Sequence, residues 1–383
     1  MKFSCSRDAL INALSIAQKG VSNKTTLPVL EVILFQVYNN QLVLTSTDLE
    51  IGVQTSIPAN VDMDGEIILS SNLITEVIRK LSGEEVFFQK DDSNQVKIEC
   101  LMSNFTIKGF PTDEFPEFPE VIEEHSFVIE ACVLKEMIRG TIFSVAVSEN
   151  IPVLTGLKME IENDAISLIA LDGYRLSLKR GKLKEAIDGS ISVIIPGKSM
   201  NELNKLLSGY NENVIVKFSK TQIFFEMGNT QFTSRLLEGE FINYKHIIPT
   251  EKATQVKVSR KLLLESSERA ALLAREGKNN LIKMDFNIDQ LILTSNAEIG
   301  DVFEVIPIEN QGDPIKIAFN SKFFIDALKV IDRDEMSIEL TTSVGPAVIV
   351  PADGSDEFIY LILPVRIAEE AWVFSKIETL RKT

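Results

Sequence analysis

The stretch VLEVILFQVYNNQLVLTSTDLEIG (29–52) returns as VLTGLKMEIENDAISLIALDGYRL (153–176) and again as LIKMDFNIDQLILTSNAEIG (281–300). Leu44, Leu168 and Leu293 hold one position in the three copies, 124 and 125 residues apart. Each copy reads as an apolar strand, a short polar turn, a second strand and a polar or acidic break. Self-similarity at a fixed spacing means one supersecondary design used three times, and that limits the chain to tandem architectures.

The flanks repeat as well. Before each strand pair lies a helical pattern, at SRDALINALSIAQKGVS (6–22), ACVLKEMIRGTIFSVAVS (131–148) and SRKLLLESSERAALLAR (259–275), with apolar residues recurring at three and four. After each comes a strand running into a second helix: 66–82, 191–208 and 315–331. Ser70 or Ser71, Ser199, and Asn320 or Ser321 stand where N-caps belong. Alternating strands such as QVKIECLM, QIFFEM and FIYLILPVR close the copies. Each unit of roughly 120 residues therefore reads β-α-βββ twice, an α+β design of antiparallel sheets with two helices to cover one face. The joints, FPTDEFPEFPE (110–120) and EGEFINYKHIIP (238–249), place the units at 1–122, 123–250 and 251–366, with a C-terminal extension at 367–383.

A chain of 383 residues exceeds one core, which agrees with three units. No apolar run approaches the ~20 residues of a membrane helix. MKFSCSRDAL lacks a signal-peptide core, so the expected compartment is the cytoplasm. Cys5, Cys100 and Cys132 are few, odd in number and scattered, which argues against a disulfide framework. Two histidines and no Cys-x-x-Cys leave little for a transition metal. No cofactor is expected. The net charge of −16, taken alone, argues against nucleic acid, because neutralising phosphates needs Lys and Arg.

Few catalytic patterns survive inspection. IIPGKS (194–199) follows a strand and opens a helix like a phosphate loop, yet Ser192 occupies the place of the first glycine of GxxxxGK[ST], and the backbone cradle is lost. Asp62-Met63-Asp64-Gly65 and Asp353-Gly354-Ser355-Asp356 lack calcium-loop spacing. With two histidines, no Ser/His/Asp or Cys/His set stands out. The chain reads as a protein without enzymatic activity. One local feature does ask for a role. In ALDGYRLSLKR (170–180), Asp-Gly is a hairpin signal, but a plain turn has no need of the Tyr174-Arg175-Leu176 that follows.

TLPVL (26–30), TDLEIG (47–52), EFPEFP (114–119), LTGLKME (154–160), LDGYRLS (171–177), EGEFINY (238–244), FNSKFFIDAL (319–328) and YLILPVR (360–366) occur in an order that resembles the bacterial β sliding clamp family. The resemblance covers residues 1–366. It implies a processivity factor of the replicative DNA polymerase: a head-to-tail homodimer whose six domains close a ring, sheets outside and helices inside, around duplex DNA. The partners it implies are duplex DNA without sequence preference, the DNA polymerase III alpha subunit and the clamp loader delta subunit. Translesion polymerases, mismatch-repair proteins and ligase are further partners, all binding through short peptides.

The resemblance assigns the peptide groove to Leu154, Gly156, Leu171, Gly173, Arg175, Leu176, Ile242, Ile247, Leu361, Leu363, Pro364, Val365 and Arg366. Arg175 would hold the groove wall or a peptide carbonyl, since its planar fork suits either. Apolar pockets with a few polar handles suit such anchors. Lys24 and Lys198 match basic positions of the family and would face DNA, joined by Arg79, Lys80 and Lys205 from helix placement. Phe105, Leu272 and Leu273 would form the dimer interface. Over the ranges above, the six helices carry an excess of seven cations, against twenty-three net negative charges elsewhere. Few phosphate contacts inside an acidic rim would let a ring slide without sticking.

Three departures stand out. Ile242 lies where the family commonly has proline, and hydrophobic Ile151 lies where a polar or basic loop residue is common. Beyond Arg366 the chain continues as IAEEAWVFSKIETLRKT, with Val373, Ile377 and Leu380 at helical spacing and the only tryptophan, Trp372. This tail would pack near the groove and modulate access. Two rival readings differ from the ring: a phosphate-using enzyme built on PGKS, and a monomeric acidic peptide-binding adaptor that never encircles DNA.

Overall fold

The computed structural model describes residues 1–22, 27–119, 125–148, 150–277 and 280–367. These include six α-helices: α1 (Arg7–Ala17), α2 (Ser71–Lys80), α3 (Ala131–Arg139), α4 (Gly197–Leu207), α5 (Arg260–Ala274) and α6 (Ser321–Val330). Strands fall around them as the repeat requires. One strand precedes each helix and about three follow it, with short extra strands at Asn60–Met63 and Glu309–Gly312.

Local chemistry sets the helix starts. The Ser6 hydroxyl accepts from the Ala9 N–H, and Ser259 from the Leu262 N–H. Asn320 Oδ1 accepts from both Lys322 and Phe323. Each satisfies an amide the first turn would otherwise leave bare. Ser199 is no cap. Pro196 holds that position before α4, and buried Ser199 instead accepts from the Ser234 hydroxyl at 2.6 Å. The helical pattern at 131–148 is also shorter than expected. After Arg139 the chain breaks at Gly140 and continues as a 3-10 turn, Ile142–Ser144.

The chain forms two compact units: residues 1–138, 159–166 and 182–239, and residues 139–158, 167–181 and 240–383. The expected segment 123–250 contributes to both. In the first unit an eight-stranded antiparallel sheet runs His125–Glu130, Asn213–Phe218, Gln222–Met227, Thr230–Arg235, Ile51–Pro58, Gln41–Thr47, Val32–Tyr38 and Gly65–Ser70. Two copies of the repeat share this sheet, joined where Thr230–Arg235 pairs with Ile51–Pro58. The Thr55 and Thr230 hydroxyls bond across that joint at 2.9 Å, both buried. A five-stranded sheet, ordered Asn60–Met63, Lys2–Ser6, Glu85–Lys90, Gln95–Cys100 and Ser103–Lys108, lies in the same unit.

Leu10 and Leu14 of α1 and Ile74 and Ile78 of α2 pack into one apolar cluster with Phe35 and Leu44 of the larger sheet and Phe3 and Phe88 of the smaller. Fully burying side chains of this size stabilises by about 1.5–3 kcal/mol each. The second unit repeats the scheme. Leu263 of α5 and Phe324 and Leu328 of α6 pack with Met284, Leu293, Ile338 and Tyr360 from its sheets. One face of every helix is thus spent on the core and the other carries its charges.

Candidate functional site: an apolar groove, helix cations and sheet edges

The Asp172-Gly173 turn joins strands Ala165–Leu171 and Arg175–Lys182. Asp172 Oδ1 accepts from the Tyr174 and Arg175 amides at 3.0 and 3.1 Å, and Gly173 adopts φ +91°, a conformation that favours glycine. The strand leaving the turn pairs antiparallel with Phe358–Ile362, setting Leu176 opposite Leu361. Leu363 then donates its N–H to the Tyr174 carbonyl at 2.8 Å, and Val365 to the Ala318 carbonyl at 2.8 Å. The C-terminal strand is held against the turn by these backbone bonds.

This pairing assembles a separate apolar cluster. Leu154, Leu171, Leu176 and Leu361, all singled out from sequence, are buried together with Ile169, Leu178, Tyr244 and Val348. Gly156, which opens strand Gly156–Glu162, is buried too. These residues form a floor. The remaining candidates sit at its surface: Gly173, Ile242, Ile247, Leu363 and Arg366 are exposed, and Pro364 and Val365 are half-buried. Ile242 and Ile247 flank the 3-10 turn Tyr244–His246, and it is their neighbours Phe241, Tyr244 and Ile248 that enter the cluster. Tyr174 is 65% exposed with its ring 6.3 Å from that of Phe323.

Arg175 turns inward, so a role in holding a peptide carbonyl does not fit its geometry. Its side chain is 8% exposed, and Nε donates to Asp172 Oδ2 at 3.0 Å while Nη1 donates to Asp326 Oδ2 at 2.8 Å. The guanidinium lies 4.2 Å from the centre of the Phe323 ring, a cation–π contact. Burial works against its charge, but the two carboxylates outweigh burial and raise its pKa above the ordinary value. Arg175 therefore braces the wall, tying the turn to α6. Burial in the neighbouring core of the second unit raises the Tyr360 phenol, whose hydroxyl donates to the Phe323 carbonyl at 2.8 Å.

Asp326, Phe323, Tyr244 and Val348 belong to this assembly and were not singled out in the sequence. Asp326 reads as an ordinary polar residue of α6. Only its pairing across 151 residues gives it a role.

The helix cations are less free than their charges suggest. α1 is neutral, because it ends at Ala17 and Lys19 falls in the turn Gln18–Gly20, and α5 ends before Arg275. The other five helices each keep an excess of one cation. Arg79 and Lys80 are exposed in the last turn of α2, where cations also favour the helix dipole. Lys205 is paired with Glu202 at 2.6 Å. Lys198 is 59% exposed and donates to Asp48 at 2.5 Å, with Glu50 at 4.0 Å. Lys24 lies outside the described residues.

Among the described residues, each unit also presents a bare sheet edge. Ser103–Lys108 is the last strand of the five-stranded sheet, with Phe105 exposed. Gly300–Pro307 is the last strand of a four-stranded sheet that continues through Gln290–Ala297, Leu281–Phe286 and Ile315–Asn320, and it exposes Phe303 and Val305. Leu272 on α5 is 63% exposed, which removes it from the helix's own core, and Leu273 is half-buried. Arg269 grips Glu304 of that edge strand through two 2.7 Å bonds, and this contact holds the Glu304 carboxyl below its ordinary pKa.

Repeated β-α-βββ units with helices on one sheet face, an apolar groove and exposed sheet edges place the molecule among DNA clamps in architecture. Residues 1–119, 128–243 and 245–366 match the N-terminal, central and C-terminal domains of the DNA polymerase III beta subunit. The chain belongs to this family, the bacterial β sliding clamps. The Beta sliding clamp of Staphylococcus epidermidis is 35% identical over 376 residues, 96% of this chain and 99% of the relative. The sliding clamp structure from Bacillus subtilis superposes with a TM-score of 0.93 at 33% identity, over 96% of this chain and 100% of that one. A Pseudomonas aeruginosa sliding clamp bound to griselimycin is 26% identical with a TM-score of 0.90, again over 96% and 100%. Among the described residues no helix is long and apolar enough to cross a membrane.

Proposed function

We propose that this sliding clamp acts as a homodimeric ring that encircles duplex DNA, slides on it and tethers the replicative polymerase, without catalysing a reaction itself. Each copy would supply three domains, at 1–122, 123–250 and 251–366. The observation that carries the reading is the pair of unlike bare edges: Ser103–Lys108 with Phe105 in one unit, and Gly300–Pro307 beside Leu272 and Leu273 in the other. An unpaired strand edge is a template for another chain, and two unlike edges joined head to tail close a ring when the rotation allows it. The single-cation excess on five helices supports a lining that attracts phosphates weakly, as sliding requires.

The groove between strand Arg175–Lys182, strand Phe358–Ile362 and the Tyr244 turn is the proposed docking place for partner peptides. The partners are the polymerase alpha subunit, the clamp loader delta subunit, translesion polymerases, mismatch-repair proteins and ligase. Griselimycin, bound by the Pseudomonas relative, serves as a probe for it.

The test is topological. The protein should stay on nicked circular DNA through a salt wash and leave when the circle is cut. Leu272→Asp should abolish retention and give a monomer in sedimentation. A monomeric wild type that binds griselimycin but never stays on circles would favour an adaptor, and a complex that survives linearisation would contradict sliding.

A further inference from the structure

We propose that residues 368–383, which lie outside the described residues, are a tethered occupant of the groove and compete there with partner peptides; this rests on the groove reading above. The argument starts from where the described chain ends. Leu363 to Ile367 form one edge of the groove, pinned by the Leu363–Tyr174 and Val365–Ala318 backbone bonds. Whatever follows Ile367 therefore begins at the groove. The family match stops at Arg366, and the relatives above are matched over 99–100% of their own length but only 96% of this one. The following segment is an addition to the shared fold, placed at its partner site.

Its composition suits that site. The sixteen residues AEEAWVFSKIETLRKT hold Trp372, Val373, Phe374, Ile377 and Leu380. The groove presents exposed Ile242, Ile247, Leu363 and Tyr174 over an apolar floor, a surface that excludes water only when something covers it. Exposed Lys245 and Arg366 border the rim, and the tail opens with Glu369 and Glu370. Sixteen residues extend to about 50 Å, so reach sets no limit. A short tether holds a segment at an effective concentration on the order of millimolar. A tail with an intrinsic affinity of only about 0.1 mM would lower a partner's apparent affinity roughly tenfold. Partners would then have to displace the tail, which filters out weak binders.

The test titrates labelled griselimycin into three proteins: the full chain, a chain ending at Arg366, and a full-length Trp372→Ala/Phe374→Ala variant. Truncation should tighten binding about tenfold, and the double variant should tighten it in the same direction. Trp372 is the only tryptophan, so its emission reports the tail alone. It should be blue-shifted in the free protein and move to that of a water-exposed indole when griselimycin is added. Equal affinities in all three proteins, or emission that is water-exposed from the start, overturn the inference and leave the groove intact. Failure of the truncated chain to bind griselimycin overturns the groove reading itself, and this inference with it.

Discussion

Asp48 and Asp172 close the same hairpin in successive copies of the repeat. Asp48 Oδ1 accepts from the Glu50 and Ile51 amides at 3.0 and 2.7 Å, and Asp172 Oδ1 from the Tyr174 and Arg175 amides at 3.0 and 3.1 Å. In both, the Asp N–H donates to the carbonyl three residues on. The second carboxylate oxygen is where they part. At Asp48 it takes the exposed Lys198 ammonium, and at Asp172 the buried Arg175 guanidinium. The strand that follows differs too. Near its start in the first copy stands Gly52, where an added Cβ would lie 2.6 Å from Thr233 and 3.0 Å from the Phe118 ring. In the second it presents Leu176 to the apolar cluster. At the first joint the chain's own Phe118, from the last stretch of the first domain, sits against the sheet at Gly52. At the second joint Tyr244 supplies part of the cover and the rim stays apolar and exposed. One design thus gives a filled joint once and a groove once.

The largest effect that tests this contrast is at Arg175. Arg175→Ala removes a buried cation and leaves Asp172 and Asp326 facing each other's charge in a half-dry site. The cost should be about 3–5 kcal/mol, read as a large fall in the urea midpoint. Lys198→Ala, at a 59% exposed site, should cost less than about 1 kcal/mol. Equal costs would show that the two carboxylates do equivalent work.

The next test swaps the strand residues. Gly52→Ala should destabilise by about 1–3 kcal/mol, because Thr233 and Phe118 must move. Leu176→Ala should cost about 2–4 kcal/mol from the cavity and also weaken griselimycin binding, while Gly52→Ala leaves that binding unchanged. A loss of griselimycin affinity from Gly52→Ala would break the separation of the two joints.

A smaller, opposite-signed pair lies at the turn tips. Leu49 holds φ +75° and Gly173 φ +91°. Leu49→Gly relieves a conformation that costs a side chain about 1–2 kcal/mol, offset by roughly 0.5–1 kcal/mol of backbone entropy, so a gain of up to about 1.5 kcal/mol is expected. Gly173→Ala meets no atom within 4 Å yet takes on the backbone strain, and should lose about 1 kcal/mol. Both are read as shifts in thermal midpoint.

The same two turns explain what was legible in the sequence. Repetition in three copies exposed the β-α-βββ order, because periodic apolar residues and short polar turns are local signals. Leu154, Leu171, Leu176 and Leu361 came from the family resemblance, since their motifs stand in the family's order, and they are buried together in one cluster. Asp326 and Tyr244 were not legible, because their roles depend on contacts across long stretches of chain. The inward turn of Arg175 was hidden for the same reason: its type allows either a wall or a peptide contact, and only the two carboxylates decide. Ser199 misled because a serine before a helical run is a good cap signal, whereas here Pro196 caps the helix, which starts at Gly197, and Ser199 is buried against Ser234. The helix charges were overcounted at the ends, where Lys19 and Arg275 fall just past the last helical residue.

The smallest effect separates the two ion pairs by pH. Partial burial works against the Lys198 ammonium, but Asp48, with Glu50 and Glu202, outweighs it and raises the pKa above the ordinary 10.5. A raised folded value means that the stabilisation is fully present below pH 10.5 and fades as pH climbs through the folded value. Arg175 is likewise raised above the ordinary guanidinium range, which already lies beyond that of lysine, so its pairs keep their charge throughout the range in which a lysine titrates. Double-mutant cycles built from Lys198→Met with Asp48→Asn, and from Arg175→Met with Asp326→Asn, isolate each coupling. The carboxamide introduced by Asp48→Asn keeps an oxygen that accepts the turn amides. At pH 8 the Lys198–Asp48 coupling should be below about 1 kcal/mol, fading as the pH climbs through the raised lysine value, while the Arg175–Asp326 coupling holds steady. Parallel decay of both couplings would mean that the alkaline loss comes from general unfolding, and the Lys198 pair would then have no separate titration to report.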